Sequence, residues 1–417
     1  MIARALPRSE LSGPLLASAL VTIAAWTFIV ATPVFKHWLY GDARYYENWG
    51  SWMTSHQVPY RDFNVEYPPG ALPTFVAPVY LRKLTGYHGS YFFWLWFEML
   101  IFALLVLPLM ASALTRLGAS RRRLYATLCA TAITPALLGP VAIFHFDYVP
   151  AVLAVAAVAA LVARRGVLAC ALAAAGAAVK VFPIVLIPFA LFELWRYGRW
   201  RAVGKGVAAA VGVLAVALVP FLVVAPHGLA WAVRRQLHRQ LEIESIGSSF
   251  FTVAHELAGL HVHIVVAAAS HNFAGPGPDA MAKALGFATL VALVAVYVLY
   301  LRGPRTQERL VLGCAAAVVA YVVFSKVFSP QYLVWLAPLV PLVGGRRGLQ
   351  ASVLLLAIIG MTQVFEPYHQ VQYWAFDTPW VNWLVVARNV LVVALLALLV
   401  RPARGTAEAA AATVEPP

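Results

Sequence analysis

The chain has 417 residues, 62% of them hydrophobic and only 12% charged, and its mean hydropathy is +0.78. That is too little polar surface to cover a soluble globule, so the composition points to a polytopic membrane protein. A net charge of +14 would suggest nucleic acid in a soluble protein. Here the arginines form short blocks between apolar runs, with no interleaved aromatics and no nucleic-acid motif, and positive-inside topology accounts for them.

The apolar runs are continuous and do not alternate with period two, which predicts α-helices and argues against a barrel. Spans are expected near 15–35, 90–113, 124–143, 148–163, 202–224, 283–301, 309–324, 331–344, 349–365 and 380–400. The first follows Arg4 and Arg8 and is long enough to be a retained span, not a cleaved signal. Shorter apolar pieces at 167–179 and 182–195 are expected to form a re-entrant-like hairpin, and 70–82 a helix at the outer face. The expected fold class is thus an all-α polytopic membrane protein of about 12 membrane-embedded helices. One domain is expected over 1–403, with long outer loops at 36–89 and 225–282 and a disordered, alanine-rich tail at 404–417. Cys129, Cys170 and Cys314 lie inside apolar segments with no C-x-x-C spacing, which predicts packing and no disulfide or thiolate site.

With the N-terminus cytoplasmic, most of the 31 basic residues fall in tight inner loops and ends, while most of the 17 acids and all 11 histidines fall outside. Nothing in the positive-inside rule requires the second pattern, so chemistry is expected on the outer face. There the first loop reads "YGDARYYENWGSWMTSHQVPYRDFNVEYPPG". Tyr45, Tyr46, Trp49 and Trp52 recur at helical spacing and predict an interfacial helix with its acids toward water. Asp42 sits where the first span ends, and partial desolvation is expected to raise its carboxyl toward a useful base. "FHFDYVP" then places His145 and Asp147 at the membrane surface in a very short turn.

Lys180 and Pro183 interrupt the next apolar run, and an intramembrane lysine calls for a partner, for which an anionic lipid headgroup would serve. In the loop 225–282 an amphipathic helix is expected, with Trp231, Val233, Leu237 and Leu241 on one side and Arg234, Arg235, His238, Arg239 and Glu242 on the other. It ends on "LEIES", with Glu244 and Ser245. "HELAGLHVH" fails the H-E-x-x-H geometry, so no metal is expected there and no cofactor is called for. Finally "FSKVFSPQYLVWLAP" brings Lys326, Ser329, Gln331 and Tyr332 to the outer face, where they could meet phosphate or sugar hydroxyls.

The aspartate after the first span, "PYRDFNVEYPPG", "HFD", "KVFPIVLIPF", "LEIES" and "FSPQYLVWLAPL", in that order, resemble the polyprenyl-phosphate-sugar-dependent glycosyltransferases of the GT-C fold. The resemblance is greatest to glycosyltransferase family 87 and its actinobacterial mannosyltransferases, over residues 15 to about 345; "FEPYHQVQYWAF" matches the general architecture only. It implies a polyprenyl-phosphate-linked sugar donor, a glycolipid or glycan acceptor, membrane lipids as surroundings and no nucleic acid. It also implies Asp42 as general base, Lys180 at the donor phosphate with Arg239 or Lys326 as further candidates, and His145 and Asp147 near the site. Tyr45, Arg61, Asp62, Glu66, Tyr67, Glu244, Ser245, Ser329, Gln331 and Tyr332 are candidates for holding sugar or acceptor. Related enzymes often read "FTYPP" where this chain has "VEYPP", so Glu66 bears on the acceptor.

The inventory suits such chemistry, because a phosphate-linked sugar carries its own leaving group and needs a base and cations but no strong acid. A glycosidase would need two facing carboxylates. The rival expectation is a multi-span transporter or lipid flippase, with polar groups near mid-bilayer and repeated halves. Only Glu98 and Arg388 look well inside spans, and no repeat is visible.

Overall fold

The computed structural model describes residues 8–32, 35, 42–86, 90–267 and 270–402, without the side chains of 8, 9, 367–372 and 374. The expected tail at 404–417 therefore lies outside the described residues. Nearly every apolar run is helical. α1 (Arg8–Ala31) leads to α2 (Ala43–Thr54) and α3 (Leu72–Thr85) in the first long loop. Then come α4 (Tyr91–Arg116), α5 (Arg121–Leu138), the single turn α6 (Pro140–Ile143), α7 (Tyr148–Val162), α8 (Gly166–Val179) and α9 (Ile187–Val224). The second long loop holds α10 (Pro226–Leu237) and α11 (Ile246–Ala258). The remaining helices are α12 (Pro276–Arg302), α13 (Gln307–Val323), α14 (Leu333–Leu339), α15 (Gly345–Ala375) and α16 (Pro379–Val400).

Among the described residues six helical stretches are long and apolar enough to cross a bilayer: Glu10–Ala31, Tyr91–Arg116, Phe182–Val224, Pro276–Arg302, Gly345–Glu366 and Pro379–Val400. The protein is a membrane-embedded helical protein. α5, α7, α8, α13 and α14 fall short of these in length or apolarity. α7 is buried on almost every side, and α8 along most of its length, which suits helices whose neighbours are protein and not lipid. α9 is two helices joined at a kink, for Arg199 has φ 50° and ψ −147°. The break falls in the arginine block that separates the two apolar pieces in the sequence.

The second long loop is not wholly helical. β1 (Leu241–Glu242), β2 (His263–Ala267) and β3 (Ser270–Ala274) form a small antiparallel sheet in the order β1-β3-β2, with Leu241 opposite Phe273 and Glu242 opposite Asn272. This small sheet is added to an otherwise helical fold, and the expected amphipathic helix stops at Leu237. Val233 and Leu237, placed on its apolar side by the sequence, are exposed, while Leu229 and Ala232 are buried. Leu241 is buried as a strand residue, because the chain has left the helix before reaching it.

Small residues let the bundle close. A Cβ on Gly166 would lie 2.7 Å from Leu194 Cγ and one on Gly206 3.1 Å from Cys170 Sγ, so both halves of α9 approach the alanine-rich α8 closely. At the Pro-Pro-Gly turn, a Cβ on Gly70 would lie 2.5 Å from the Ala178 carbonyl oxygen. Glycine thus presses the first loop against the end of α8, beside Lys180.

The loops sort to two ends. At one end Arg123 Nη2 donates to the Leu342 carbonyl at 2.8 Å, Gln307 Nε2 to Val162 at 2.8 Å and Arg347 Nη1 to Leu399 at 3.4 Å, gathering the arginine-rich turns. At the other end the first loop, residues 145–147, Lys180, the second long loop and residues 324–335 converge.

Candidate active site

The convergence is built on aromatic packing. α2 turns Tyr46 and Trp49 inward, where Tyr46 stacks on Phe75 of α3 at 4.8 Å between centroids and meets Phe146 edge-on at 5.6 Å. Tyr67 meets Phe146 at 4.7 Å. Tyr45 and Trp52 are exposed. The expected interfacial helix is therefore divided, with one aromatic face forming the floor of the polar site and only the other facing outward.

Asp42 lies just before α2, its side chain about a quarter exposed, and its Oδ2 is 3.5 Å from Nε2 of His145. The other ring nitrogen, Nδ1, is 3.0 Å from the Val141 carbonyl oxygen, so the short turn after α6 aims the imidazole at Asp42. Burial on its own would push the Asp42 carboxyl up. The hydrogen bond and charge of His145, with the charges of Lys180 and Arg239, outweigh burial and hold it below its ordinary value. This corrects the expectation of a raised carboxyl: desolvation is present, but His145, Lys180 and Arg239 together outweigh it. His145 moves the opposite way, since burial would depress it but Asp42 and Asp147 raise it.

Asp147 is 1% exposed and accepts from Lys180 Nζ at 2.7 Å and from Trp335 Nε1 at 2.6 Å, both on Oδ1. The Lys180 ammonium is also within 5.0–5.7 Å of the ring centroids of Phe146, Trp335, Tyr332 and Tyr67. Lys180 therefore has its partner within the protein and needs no lipid headgroup to satisfy it. Tyr332 stacks on Trp335 at 4.0 Å, which closes this box.

The second long loop supplies the other wall. Glu66 accepts from Arg235 Nε at 3.1 Å, and its carbonyl accepts from Gln236 at 2.9 Å, tying α10 to the first loop. Arg239 donates to Ser270 Oγ at 2.9 Å, and the charges of Glu242 and Glu66 act on it as well as that of Asp42. Lys326 Nζ donates to the Leu237 carbonyl at 2.6 Å, and its ammonium is depressed by burial and then by the Arg239 charge. Glu242 accepts from the Phe328 amide at 2.6 Å and from Ser329 Oγ at 2.8 Å, locking "LEIES" onto "FSPQY".

Several candidates lie elsewhere. Arg61 and Asp62 pair with each other at 2.9 Å on an exposed turn, and the Val58 amide also binds Asp62. Tyr45 packs on Trp49 from outside. Glu244 turns away toward Arg388 of α16, whose Nη2 donates to the Glu244 carbonyl at 2.8 Å and whose Nη1 is 3.6 Å from its carboxylate. Ser245 caps α11 by accepting from the Ser248 amide at 3.3 Å. Gln331 lies half-buried in the turn before α14. Tyr46, Phe146 and Trp335 shape the site without being expected there, and so does Arg235, expected only on the polar side of the amphipathic helix. For the first three the available signal was an aromatic close in sequence to Asp42, Asp147 or Tyr332.

Fold and site together define a polytopic membrane protein with a mixed-charge, aromatic-floored site at one end of its bundle. The chain matches the family model "Glycosyltransferase family 87" over residues 64–330, more than half its length, and the protein belongs to that family. It is a membrane glycosyltransferase, acting on a sugar donor and an acceptor. No curated protein matches the chain significantly. Asp42, Tyr332, Trp335 and Arg388 lie outside the matched segment, yet the structure brings all but Arg388 directly into the convergence.

Proposed function

We propose that the protein transfers a sugar, mannose by family resemblance, from a polyprenyl-phosphate donor to a glycolipid or glycan acceptor on the extracytoplasmic face. The observation that carries this reading is the asymmetry among the site's acids. Asp147 and Glu242 are buried and Glu66 is tied to Arg235, while Asp42 keeps a quarter of its surface open beside an imidazole and within reach of two cationic side chains. The face is assigned from the arginine blocks, which gather at the opposite end.

In this reading the acceptor hydroxyl gives its proton to Asp42 as its oxygen attacks the anomeric carbon. The bond from that carbon to the phosphate oxygen breaks, and its electron pair leaves on the phosphate. Direct displacement inverts the anomeric centre, so a β-linked donor gives an α-linked product. Arg239 and Lys326 receive the phosphate: they are cations held close enough to repel, an arrangement that an anion relieves. Lys180 acts through Asp147 and the aromatic box, holding the wall between Tyr67 and Tyr332. No step calls for a cofactor, and the site's position suits a lipid whose headgroup enters between the loops while its tail stays among the helices.

The test is Asp42→Asn, which keeps shape and removes the base. Transfer from labelled polyprenyl-phosphate mannose in membranes should fall by about 10²–10⁴-fold with expression and melting temperature unchanged. Near-normal transfer by a folded Asp42→Asn protein would overturn the assignment.

A further inference from the structure

The arginine end holds a polar cavity that none of the candidate sugar-transfer residues lines. Its volume is about 240 Å³, and it opens between the kink in α9 and the link from α12 to α13. That is the space of about eight liquid waters at roughly 30 Å³ each, room for a phosphodiester and its first carbons. Arg196, Arg199 and Arg305 line it against a single acid, Glu193. Glu193 is engaged already, accepting from Tyr300 Oη at 2.6 Å and lying 3.8 Å from Arg196 Nη1. The side chains of Arg199 and Arg305 make no ion pair or hydrogen bond among the described residues. Three arginines against one glutamate leave a formal charge of +2 where a ligand would sit.

The rim fixes the depth. Trp195 and Trp200 pack edge-on at 4.2 Å between centroids and are 41% and 73% exposed, and Tyr197 beside them is exposed as well. Exposed indoles at the end of apolar spans belong at headgroup level. Arg199 holds φ 50° and ψ −147°, a conformation populated almost only by glycine, so the fold keeps a strained arginine at this opening. Phe192 and Leu301 supply apolar wall beside the charge.

We propose that this cavity binds the phosphodiester headgroup of an anionic phospholipid in the leaflet at the arginine end. The phosphate meets Arg199 and Arg305, the indole pair lies against the glycerol backbone, and the acyl chains run down the apolar surfaces of α9 and α12. A site of this kind fixes the register of the kinked α9 against α12, far from the sugar-transfer site.

The probes are phosphatidylglycerol, phosphatidylcholine and inorganic phosphate. They are offered to the full-length protein in detergent, with bound lipid read by native mass spectrometry and stability by melting midpoint. Wild-type protein should retain phosphatidylglycerol in preference to phosphatidylcholine and melt higher with it, with no such effect from inorganic phosphate. In the double variant Arg199→Gln/Arg305→Gln the affinity for phosphatidylglycerol should drop by about tenfold, with sugar transfer in phosphatidylcholine unchanged. Equal retention of both lipids by wild type, or undiminished phosphatidylglycerol binding by the variant, would overturn the proposal. Equal protection by inorganic phosphate would overturn the lipid assignment. Should the double variant not fold, Arg305→Gln alone, in the exposed link, carries the same comparison.

Discussion

Replacing Lys180 by methionine separates two roles for its ammonium, gripping a substrate phosphate or holding Asp147. At an effective dielectric constant near 20, unit charges 2.7 Å apart attract by about 6 kcal/mol before desolvation is counted. Taking both ions out of water costs several kcal/mol each, so the pair as a whole adds little net stability. Removing one member is different. Lys180→Met leaves the 1%-exposed Asp147, among the described residues, with the Trp335 indole as its one remaining hydrogen-bond donor, and the expected loss is about 3–5 kcal/mol. The double variant Lys180→Met/Asp147→Asn buries no charge and should recover most of that loss. Chemical unfolding of the detergent-solubilised protein reads the stability terms, and transfer kinetics on the same samples read the rest. A Lys180→Met protein that unfolds like wild type but shows a large rise in apparent KM for the donor would refute the reasoning and return Lys180 to the phosphate.

The other predictions concern neighbouring groups. His145→Gln removes the largest influences lowering the Asp42 carboxyl and leaves burial to raise it, so the acid limb of kcat/KM should move to higher pH, which a merely structural role would not produce. Since the His145 value is raised, its pairing with Asp42 stabilises the fold fully below about pH 6.5, the ordinary histidine value, and less as pH climbs through the folded value; a pH series of melting midpoints checks this. Arg239→Gln should cost about 1.5–3 kcal/mol of donor binding, a rise of roughly ten- to a hundredfold in apparent donor KM, with kcat less affected. Arg388→Met removes the 2.8 Å hydrogen bond to the Glu244 carbonyl from a fully buried site and should destabilise the protein by about 1–3 kcal/mol in unfolding experiments.

The sequence carried the helices because their signal is local: twenty or so apolar residues between arginine blocks can do little else in a bilayer. It carried Asp42, His145, Asp147 and Lys180 for a related reason, each being an ionisable group at the end of an apolar run. What it did not carry depends on contacts between distant segments. Trp335 reaches Asp147 across 188 residues, and with it Lys180 changes from a cation awaiting a ligand into a satisfied one. β1 is two residues long and exists only because β3 lies beside it, so the chain before it looked like a continuing helix. The same dependence on distant contacts governs "LEIES": a buried arginine in α16 turns Glu244 away and leaves Glu242 facing the site.

The lowered Asp42 carboxyl sets a condition on the proposed mechanism. A carboxyl held down by His145, Lys180 and Arg239 is ionised at neutral pH but is a weak base, and a weak base suffices only if the acceptor proton moves late, when phosphate departure has already made the anomeric carbon electron-poor. Donor binding alters that balance. A phosphate on Arg239 offsets one of the charges that depress Asp42 while the site loses water, and both changes raise the affinity of Asp42 for a proton. The base is therefore weakest when no donor is present and strengthens as the leaving group is seated. An aspartate among cations is thus better suited to this reaction than one raised by burial alone, because its basicity responds to the substrate whose departure it assists.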